Sequence, residues 1–289
     1  MTIKELQHHF HKQLSELYRQ EEVSSFFRIL VDHYLNLKPV EIVLNPNFTI
    51  SDKQIDHFLD AIKRLKVEEP VQYIIGETEF FGLPIKVNHN VLIPRPETEE
   101  LIDWILNQDQ VNKGQELNIL DIGTGSGCIA ISLAKNLPNA KIYALEISPE
   151  ALKIAKENAK SNNVGIEFIE GDILAGRHAK LVSESHPFDI IVSNPPYVRE
   201  VEKSTLKNNV LNYEPHLALF VKNDDALQYY RAICEFAVHN LKPMGILFFE
   251  INQYLGTETE QLLKAYHFKS VELRKDLSGN DRMIKAIKP

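Results

Sequence analysis

Residues 117–134 combine an apolar run, three glycines at alternate positions and a helical apolar pattern. The run Leu117–Ile122 is typical of a buried strand, and the apolar spacing after the glycines is typical of a helix. Gly123, Gly125 and Gly127 let the backbone turn sharply and approach a ligand closely, with the N-terminus of the helix beside it. The stretch therefore predicts a strand, a ligand-binding loop and a helix in immediate succession.

Helix and strand patterns continue to alternate from Pro96 to Val192. This alternation is typical of an α/β fold with a doubly wound, mostly parallel sheet. Near the end of the chain, His267–Val271 and Asp281–Ile287 flank a turn at Ser278-Gly279-Asn280 and are predicted to pair as antiparallel strands.

The N-terminal third has a different pattern, because strand signals are nearly absent before residue 72. Residues 3–36 and 51–65 have helical apolar spacing, with Ser51 as a natural helix cap. The sequence predicts a small helical domain over residues 1–70, an extended connector that forms a hairpin over 71–95, and the α/β domain over 96–289.

Acidic side chains lie at the ends of three successive predicted strands of the α/β domain. Asp121 precedes the glycine loop, Glu146 ends the next strand, and Asp172 follows the third. An acid before the loop suits a ligand with an ammonium group, and a carboxylate at the second strand end can accept both hydroxyls of a ribose. A helix cap for Asp172 and a solvated edge for Glu146 are the structural alternatives. A dinucleotide fingerprint would have glycine where Cys128 stands, so a nicotinamide or flavin cofactor is the weaker interpretation.

The apolar run Phe188–Ser193 ends in Asn194-Pro195-Pro196-Tyr197. Proline lacks an N–H and restricts the residue before it, so Asn194 is expected to lie extended in a stiff turn at the strand end. Its side-chain carbonyl and the Pro195 carbonyl are then two fixed acceptors for an –NH2 group, and Tyr197 offers a flat face for stacking. An ordinary strand-terminating turn is the alternative, because Asn and Pro are common in turns.

Together these motifs resemble the S-adenosylmethionine-dependent methyltransferases that modify exocyclic or amide nitrogens. Two upstream stretches, residues 72–86 and 91–99, are similar to the release factor glutamine methyltransferases, and the resemblance extends from about residue 68 to the C-terminus. Two positions depart from the family pattern. Asn223 stands in a segment where the family usually has Gly-Gly, and Asn252 stands where a glycine is expected.

The resemblance implies a seven-stranded sheet with the last strand inserted antiparallel, S-adenosylmethionine as cofactor, and methylation of the glutamine side-chain nitrogen in the Gly-Gly-Gln loop of peptide chain release factors. In this interpretation the cofactor-binding residues are Asp121, Gly123, Thr124, Gly125, Ser126, Gly127, Glu146, Asp172, Ile173 and Asn194. The substrate-binding residues are Asn194, Pro195, Pro196 and Tyr197, of which Asn194, Pro195 and Tyr197 are also predicted to be catalytic. The helical domain is expected to recognise the protein substrate.

Composition limits the alternatives. The chain has 289 residues, 44% of them hydrophobic, and a net charge of −8 without a dense basic run, which disfavours a nucleic acid as direct partner. Two cysteines and the polar N-terminus predict neither a disulfide framework nor a signal peptide, and no apolar stretch suits a membrane span, so a cytoplasmic protein is expected. No metal site is predicted. The oligomeric state is not determined, although a monomer is expected.

Two other functions are compatible with the motifs. An adenine-N6 or other nucleic-acid methyltransferase could use the same two acceptors for an exocyclic amino group. A cofactor-binding regulator without turnover is the second alternative, against which the complete set of motifs argues.

Overall fold

A computed structural model of the chain describes residues 1–111, 114–175 and 187–289. The chain forms two compact units. The first contains Met1–Gly76 together with Lys207–Tyr213, and the second contains Glu77–Leu206 and Glu214–Pro289.

The helices are numbered in chain order. They are α1 (Ile3–Leu14), α2 (Gln20–Leu35), α3 (Pro39–Leu44), α4 (Asp52–Leu65), α5 (Val71–Ile75), α6 (Pro96–Leu106), α7 (Cys128–Asn136), α8 (Pro149–Ser161), α9 (Asn208–Tyr213), α10 (His216–Leu219), α11 (Gln228–Asn240) and α12 (Gly256–Ala265).

The strands are numbered in the same way. They are β1 (Glu77–Phe80), β2 (Leu83–Lys86), β3 (Asn118–Ile122), β4 (Lys141–Glu146), β5 (Glu167–Glu170), β6 (Phe188–Ser193), β7 (Val198–Arg199), β8 (Phe220–Val221), β9 (Leu241–Glu250), β10 (Lys269–Lys275) and β11 (Asp281–Ile287).

The first unit is a helical bundle built around the apolar faces of α1, α2 and α4. Phe27 lies at its centre, with its ring 5.5 Å from that of Phe10 and 5.9 Å from that of Phe58. Ser51 caps α4 by accepting a hydrogen bond from the backbone of Gln54, as the sequence predicts. Helix α9 belongs to this unit although it comes from a distant part of the chain, and the Tyr213 hydroxyl donates to a backbone carbonyl in the turn that follows α4.

The second unit contains a seven-stranded sheet with the order β10-β11-β9-β6-β3-β4-β5. Strands β9, β6, β3, β4 and β5 are parallel, and β11 is inserted antiparallel between β9 and β10. The predicted α/β fold with a mostly parallel sheet is therefore confirmed. The chain proceeds from β3 to β4 on one side and later returns to β6 on the other, so a topological switch point lies between β3 and β6.

Two predicted segments differ in detail from the structure. The connector predicted from residue 71 begins with helix α5, which ends at Gly76 in a left-handed conformation (φ 81°), and the hairpin β1–β2 follows. The strand predicted from residue 267 begins at Lys269, because His267 has φ 65° where the chain leaves α12 and cannot continue an extended strand. None of the helices in the described ranges is long and apolar enough to cross a membrane.

Candidate active site

A cavity of about 250 Å³ opens at the carboxyl ends of β3, β4 and β6, at the switch point of the sheet. Its walls come from the glycine loop after β3, the ends of β4 and β6, the turn after β5, and parts of the segments before α6 and after α9. Among the lining residues are Arg95, Thr98, Gly123, Thr124, Gly125, Ser126, Glu146, Asp172, Ile173, Asn194, Pro195, Pro196 and Tyr229. The cavity thus brings together every predicted cofactor-binding residue except Asp121 and Gly127, and Asp121 lies buried directly beneath the loop.

The glycine loop has the conformation that its sequence predicts. Gly123, Gly125 and Gly127 all have positive φ, at 74°, 55° and 83°, which residues with a Cβ rarely adopt. At Gly127 there is also no room, because a Cβ atom would lie 3.0 Å from the side chain of Ile131 and 3.2 Å from that of Ala155. The loop therefore presents bare backbone to the cavity immediately before α7.

Asp121 is fully buried at the end of β3. Its Oδ2 accepts a 2.6 Å hydrogen bond from the Thr124 hydroxyl, whereas its Oδ1 has no hydrogen-bond partner within the described part of the chain. Burial raises the pKa of Asp121 to about 7, against the lowering effects of the Thr124 hydrogen bond and of the nearby Ala130 N–H, which falls short of hydrogen-bond geometry. A buried carboxylate oxygen without a partner costs free energy, so this position favours a ligand that brings a cationic donor.

Glu146 ends β4 with its carboxylate already hydrogen-bonded to backbone. Oε2 accepts from the Gly125 N–H at 2.9 Å, and Oε1 accepts from the N–H groups of Ile147 and Ser148 at 2.9 and 3.0 Å. A carboxylate has about four acceptor directions, so these three bonds hold the group in place and leave about one direction open. To accept hydrogen bonds from both hydroxyls of a ribose, the Glu146 carboxylate would have to give up one of its three backbone hydrogen bonds.

Asp172 and Ile173 line the cavity beyond β5. Oδ1 of Asp172 accepts from the Leu174 N–H at 2.8 Å, so this carboxylate caps the short 3₁₀ turn that follows. Asp172 thus acts as a cap, which is the structural alternative stated above, and it also lines the cavity. Tyr229, from α11, also lines the cavity and lies close enough to Asp172 and Glu146 for their charges to raise the pKa of its phenol, although burial is the larger cause.

Asn194 lies at the end of β6, and its side chain is held by a chain of hydrogen bonds. Its Nδ2 donates to the Thr98 hydroxyl at 3.2 Å, and that hydroxyl donates to Oε2 of Glu250 at 2.6 Å. Among the described residues, neither Oδ1 of Asn194 nor the Pro195 carbonyl has a hydrogen-bond partner. Both remain available as acceptors, and both residues line the cavity.

Tyr197 is placed differently from its three neighbours. Its ring packs against the apolar core, and the residue is not among those that line the described cavity. Its hydroxyl donates to Oε1 of Glu250 at 3.0 Å. Burial, followed by the nearby charge of Glu250, raises the pKa of the Tyr197 phenol far above its usual range, so the hydroxyl stays protonated and remains a donor.

A curated relative decides the family. The chain is 51% identical over 286 residues to the release factor glutamine methyltransferase of Flavobacterium psychrophilum, a match that covers 99% of each chain. The chain belongs to the release factor glutamine methyltransferase family. The enzyme of the same name from Bacteroides thetaiotaomicron is 41% identical over 273 residues, which cover 94% of this chain and 95% of the relative.

Domain profiles and a solved structure agree with this membership. Residues 113–278 match a methyltransferase domain, and residues 5–76 match the PrmC N-terminal domain. The solved 16S rRNA N2 G1207 methyltransferase of Thermus thermophilus, in complex with AdoMet and guanosine, superimposes with a TM-score of 0.52 at 18% identity. That match covers 74% of this chain and 50% of the other, and it shows a shared methyltransferase fold.

Two polar groups of the site in this release factor glutamine methyltransferase have no role predicted from sequence in holding Asn194. Thr98 lies in the motif over 91–99 without a predicted role, and the sequence predicts Glu250 only as an acid that ends a strand at the ligand edge or as an ion-paired structural acid. Arg95, which lines the cavity, also forms an ion pair with Glu214. The two residues are 119 positions apart in the sequence. Only Thr98 lies in a motif that could indicate a functional role from sequence, because no pattern near Glu250 or Glu214 indicates which residue each one bonds.

The two departures from the family pattern have structural roles. Oδ1 of Asn223 accepts from the Val201 N–H at 3.0 Å. The side chain of Asn252 is buried and donates to the Tyr197 carbonyl and to Glu202, both at 2.9 Å. Asn252 therefore ties the end of β9 to the turn that carries Asn194.

Proposed function

We propose that this chain transfers a methyl group from S-adenosylmethionine to the side-chain amide nitrogen of the glutamine in the Gly-Gly-Gln loop of peptide chain release factors. The reaction class follows from family membership, since the chain is a release factor glutamine methyltransferase by descent over its whole length. The observation that carries the site assignment is the pair of unpartnered acceptors, Asn194 Oδ1 and the Pro195 carbonyl, at the wall of the cavity.

The cavity fits the cofactor. The unpartnered Oδ1 of Asp121 suits the ammonium group of the methionine part, and the glycine loop lets a ligand approach the backbone closely. Glu146 is positioned to take a ribose hydroxyl, and Asp172 with Ile173 to take the adenine. When bound, S-adenosylmethionine supplies a methyl group on a sulfonium, which is already strongly electrophilic.

The residues of the chain then have to orient a poor nucleophile. The lone pair of an amide nitrogen is delocalised into its carbonyl, so the amide is weakly reactive until it is held in place. Asn194 Oδ1 and the Pro195 carbonyl accept the two N–H bonds of the glutamine amide and fix the direction of its nitrogen. Such alignment lowers a barrier by up to about 7–11 kcal/mol. Both groups are hydrogen-bond acceptors and weak bases. The proton therefore leaves to solvent after the N–CH3 bond has formed and the S–CH3 bond has broken to a neutral thioether, when the nitrogen has become more acidic.

Tyr197 supports this arrangement from behind the cavity wall. Its hydroxyl bond to Glu250 and its packing against the core hold the turn that presents Asn194, Pro195 and Pro196. Stacking of the tyrosine ring on the substrate amide remains a prediction, which requires the ring to become accessible from the cavity.

The helical unit is proposed to recognise the release factor, because it lacks every residue of the cavity. The net charge of −8 favours a protein over a nucleic acid as the direct partner. A release factor substrate also places the reaction in the cytoplasm, where translation ends.

The test is mass spectrometry of a purified release factor after incubation with the enzyme and S-adenosylmethionine. We expect one methyl increment, located on the glutamine of the Gly-Gly-Gln loop. Asn194→Ala should abolish it with only a modest loss of cofactor affinity, because the acceptor acts chiefly on the target amide in the transition state. Asn107→Ala, at an exposed site outside the cavity, is the matched control. Methylation of an oligonucleotide in place of the release factor would refute the substrate assignment.

A further inference from the structure

An asparagine side chain has two nearly isosteric ends with opposite hydrogen-bonding character. The carbonyl accepts and the –NH2 donates, and a 180° rotation exchanges them. In the reaction proposed above, Asn194 works only when Oδ1 faces the glutamine amide. With –NH2 in that position, two donors would face each other, and the target nitrogen would be pushed away. Some feature of the protein must therefore select one of the two orientations.

Glu250 provides a fixed acceptor behind Asn194. Glu250 is buried, with 1% of its surface exposed. Its two carboxylate oxygens accept hydrogen bonds from the Thr98 hydroxyl at 2.6 Å and from the Tyr197 hydroxyl at 3.0 Å. Burial raises the pKa of Glu250, while both hydroxyl bonds and the positive charge of Arg282 oppose that rise. In the 2.6 Å contact the Thr98 hydroxyl is the donor and Oε2 of Glu250 the acceptor, so the hydroxyl hydrogen of Thr98 points at Glu250.

The orientation of Thr98 then determines that of Asn194. With its hydrogen committed to Glu250, Thr98 Oγ1 can only accept, and the group of Asn194 that faces it must be a donor. The 3.2 Å contact is accordingly made by Nδ2, which leaves Oδ1 without a partner among the described residues. A flipped amide would place Oδ1 against the lone pairs of Thr98 and would lose this bond.

We propose that Thr98 and Glu250 are positioning residues that set the orientation of the Asn194 amide, so that its carbonyl faces the substrate. The inference rests on the proposed function for its consequence in catalysis, but the orientation itself is a property of the free enzyme. Neither residue has to touch the reacting atoms. The alternative is a purely structural role, in which Glu250 only joins α6, β9 and the turn after β6.

The decisive comparison is between Thr98→Val, which removes the hydroxyl at nearly constant volume, and Thr98→Ser, which keeps it. We expect Thr98→Val to lower kcat on a release factor by about 10- to 100-fold, the usual effect of losing a group that orients a functional side chain, with cofactor Kd within about threefold of wild type. Thr98→Ser should keep kcat within about threefold of wild type. Thr98→Ala, which removes the same hydroxyl, carries the same expectation and replaces Thr98→Val if valine prevents folding.

Tyr230→Phe is the control for stability. The Tyr230 hydroxyl is buried and donates to the backbone carbonyl of Glu250 at 3.2 Å, so its removal disturbs the same residue without touching the Thr98–Asn194 bond. We expect a lower Tm with kcat near that of wild type. Equal kcat losses in Tyr230→Phe and Thr98→Val at matched Tm would support the purely structural role and overturn the proposal.

A measurement that does not depend on turnover separates this inference from the proposed function. In the ligand-free enzyme, the side-chain ¹H–¹⁵N signals of Asn194 report whether its –NH2 is hydrogen-bonded. These signals should shift and exchange faster with solvent in Thr98→Val, and stay near their wild-type positions in Thr98→Ser. Unchanged signals in Thr98→Val would refute the positioning role even if release factors are methylated. The expected shifts without any methylation of release factors would refute the substrate assignment alone.

Discussion

At the scale of residues, the buried carboxyl group of Asp121 couples pH to the stability of the protein. Its carboxyl group is fully buried beneath the glycine loop, and its pKa of about 7 lies above the value near 4 of an unfolded aspartate. The folded, ligand-free protein therefore binds a proton more tightly than the unfolded chain. The stabilising contribution of the protonated group is complete below about pH 4 and is lost as pH rises through about 7.

We expect Asp121→Asn to remove this pH dependence from the ligand-free enzyme. The carboxamide cannot ionise, so the variant should be more stable than wild type at pH 8, by up to about 1.4 kcal/mol per unit of the pKa difference. Urea unfolding at a series of pH values measures the effect, with Asp109→Asn at an exposed site as control. The same variant should bind S-adenosylmethionine more weakly, because it loses the negative charge proposed to hold the ammonium group. A slope between pH 4 and 7 that is the same in Asp121→Asn as in wild type would contradict the assignment.

At the scale of elements, the loop between β3 and α7 depends on backbone that only glycine provides. Gly127 combines φ 83° with two close side chains, Ile131 and Ala155. Its N–H donates to the Thr124 carbonyl, and its carbonyl accepts the Ile131 N–H at the first turn of α7. Strain at this residue would therefore move both the loop and the helix N-terminus.

Gly127→Ala should destabilise the protein by about 1–3 kcal/mol, the usual cost of a left-handed non-glycine residue with overpacking. It should also reduce cofactor affinity more than about tenfold, because the loop lines the cavity. Gly165→Ala is the matched control, since its φ is not positive and a Cβ there meets nothing within 4 Å. Calorimetric titration and thermal unfolding of both variants test the prediction, and equal effects at the two glycines would count against it.

The segment after β6 is fixed by a residue that departs from the family pattern. Asn252, which follows β9, bonds the Tyr197 carbonyl and Glu202, and its own Oδ1 accepts from the Tyr254 N–H. The first two bonds tie the segment after β9 to the turn and to the 3₁₀ helix Glu200–Thr205, and the third orders the Asn252 side chain locally.

Replacing this residue by the glycine of the family pattern, Asn252→Gly, removes all three bonds. We expect a stability loss of about 1–3 kcal/mol, since the bonds are buried and Glu202 loses a donor. Amide hydrogen exchange should become faster over residues 198–206 and stay unchanged in β3 and β4. Asn240→Gly, which removes a side-chain bond at the end of α11, serves as control. Unchanged amide hydrogen exchange over residues 198–206 would show that the hydrogen bonds of Asn252 do not stabilise this segment.

At the scale of the whole molecule, the two units are joined by the chain at three points. The chain leaves the helical unit after Gly76, returns at Lys207 and leaves again after Tyr213. The hairpin β1–β2 belongs to the second unit, where the Lys86 N–H donates to Asn158 of α8 at 2.8 Å. A truncation that keeps the second unit intact must therefore begin at Glu77.

A chain that begins at Glu77 should bind S-adenosylmethionine with nearly full affinity, because every residue that lines the cavity remains. It should methylate an intact release factor far more slowly, with a smaller deficit on a short Gly-Gly-Gln peptide. Titration, rates on both substrates and Tm measure these effects. A second truncated chain with residues 207–213 replaced by a glycine linker controls for exposure of α9. Equal proportional losses on protein and peptide, together with a lower Tm, would indicate that the helical unit only stabilises the enzyme.

The sequence alone determined the fold class and most of the residues that line the candidate site. The glycine loop, Glu146 and Asp172 were predictable because each follows a local pattern, an apolar strand and the polar residue that ends it. A parallel sheet then brings those strand ends to one edge, whatever the details of packing. Asn194 and Pro195 were predictable for the same reason, since two prolines after a buried strand fix the backbone locally.

Only the tertiary structure decided which groups act behind those residues. Thr98 and Glu250 are 152 residues apart and meet because α6 packs beside the end of β9. The membership of α9 in the helical unit, and the placement of Tyr197 behind the cavity wall, likewise depend on contacts between distant segments. The periodicity of apolar residues in a segment reflects which side of that one element is buried and which is exposed to solvent. A hydrogen bond between two buried side chains depends instead on the packed positions of two elements.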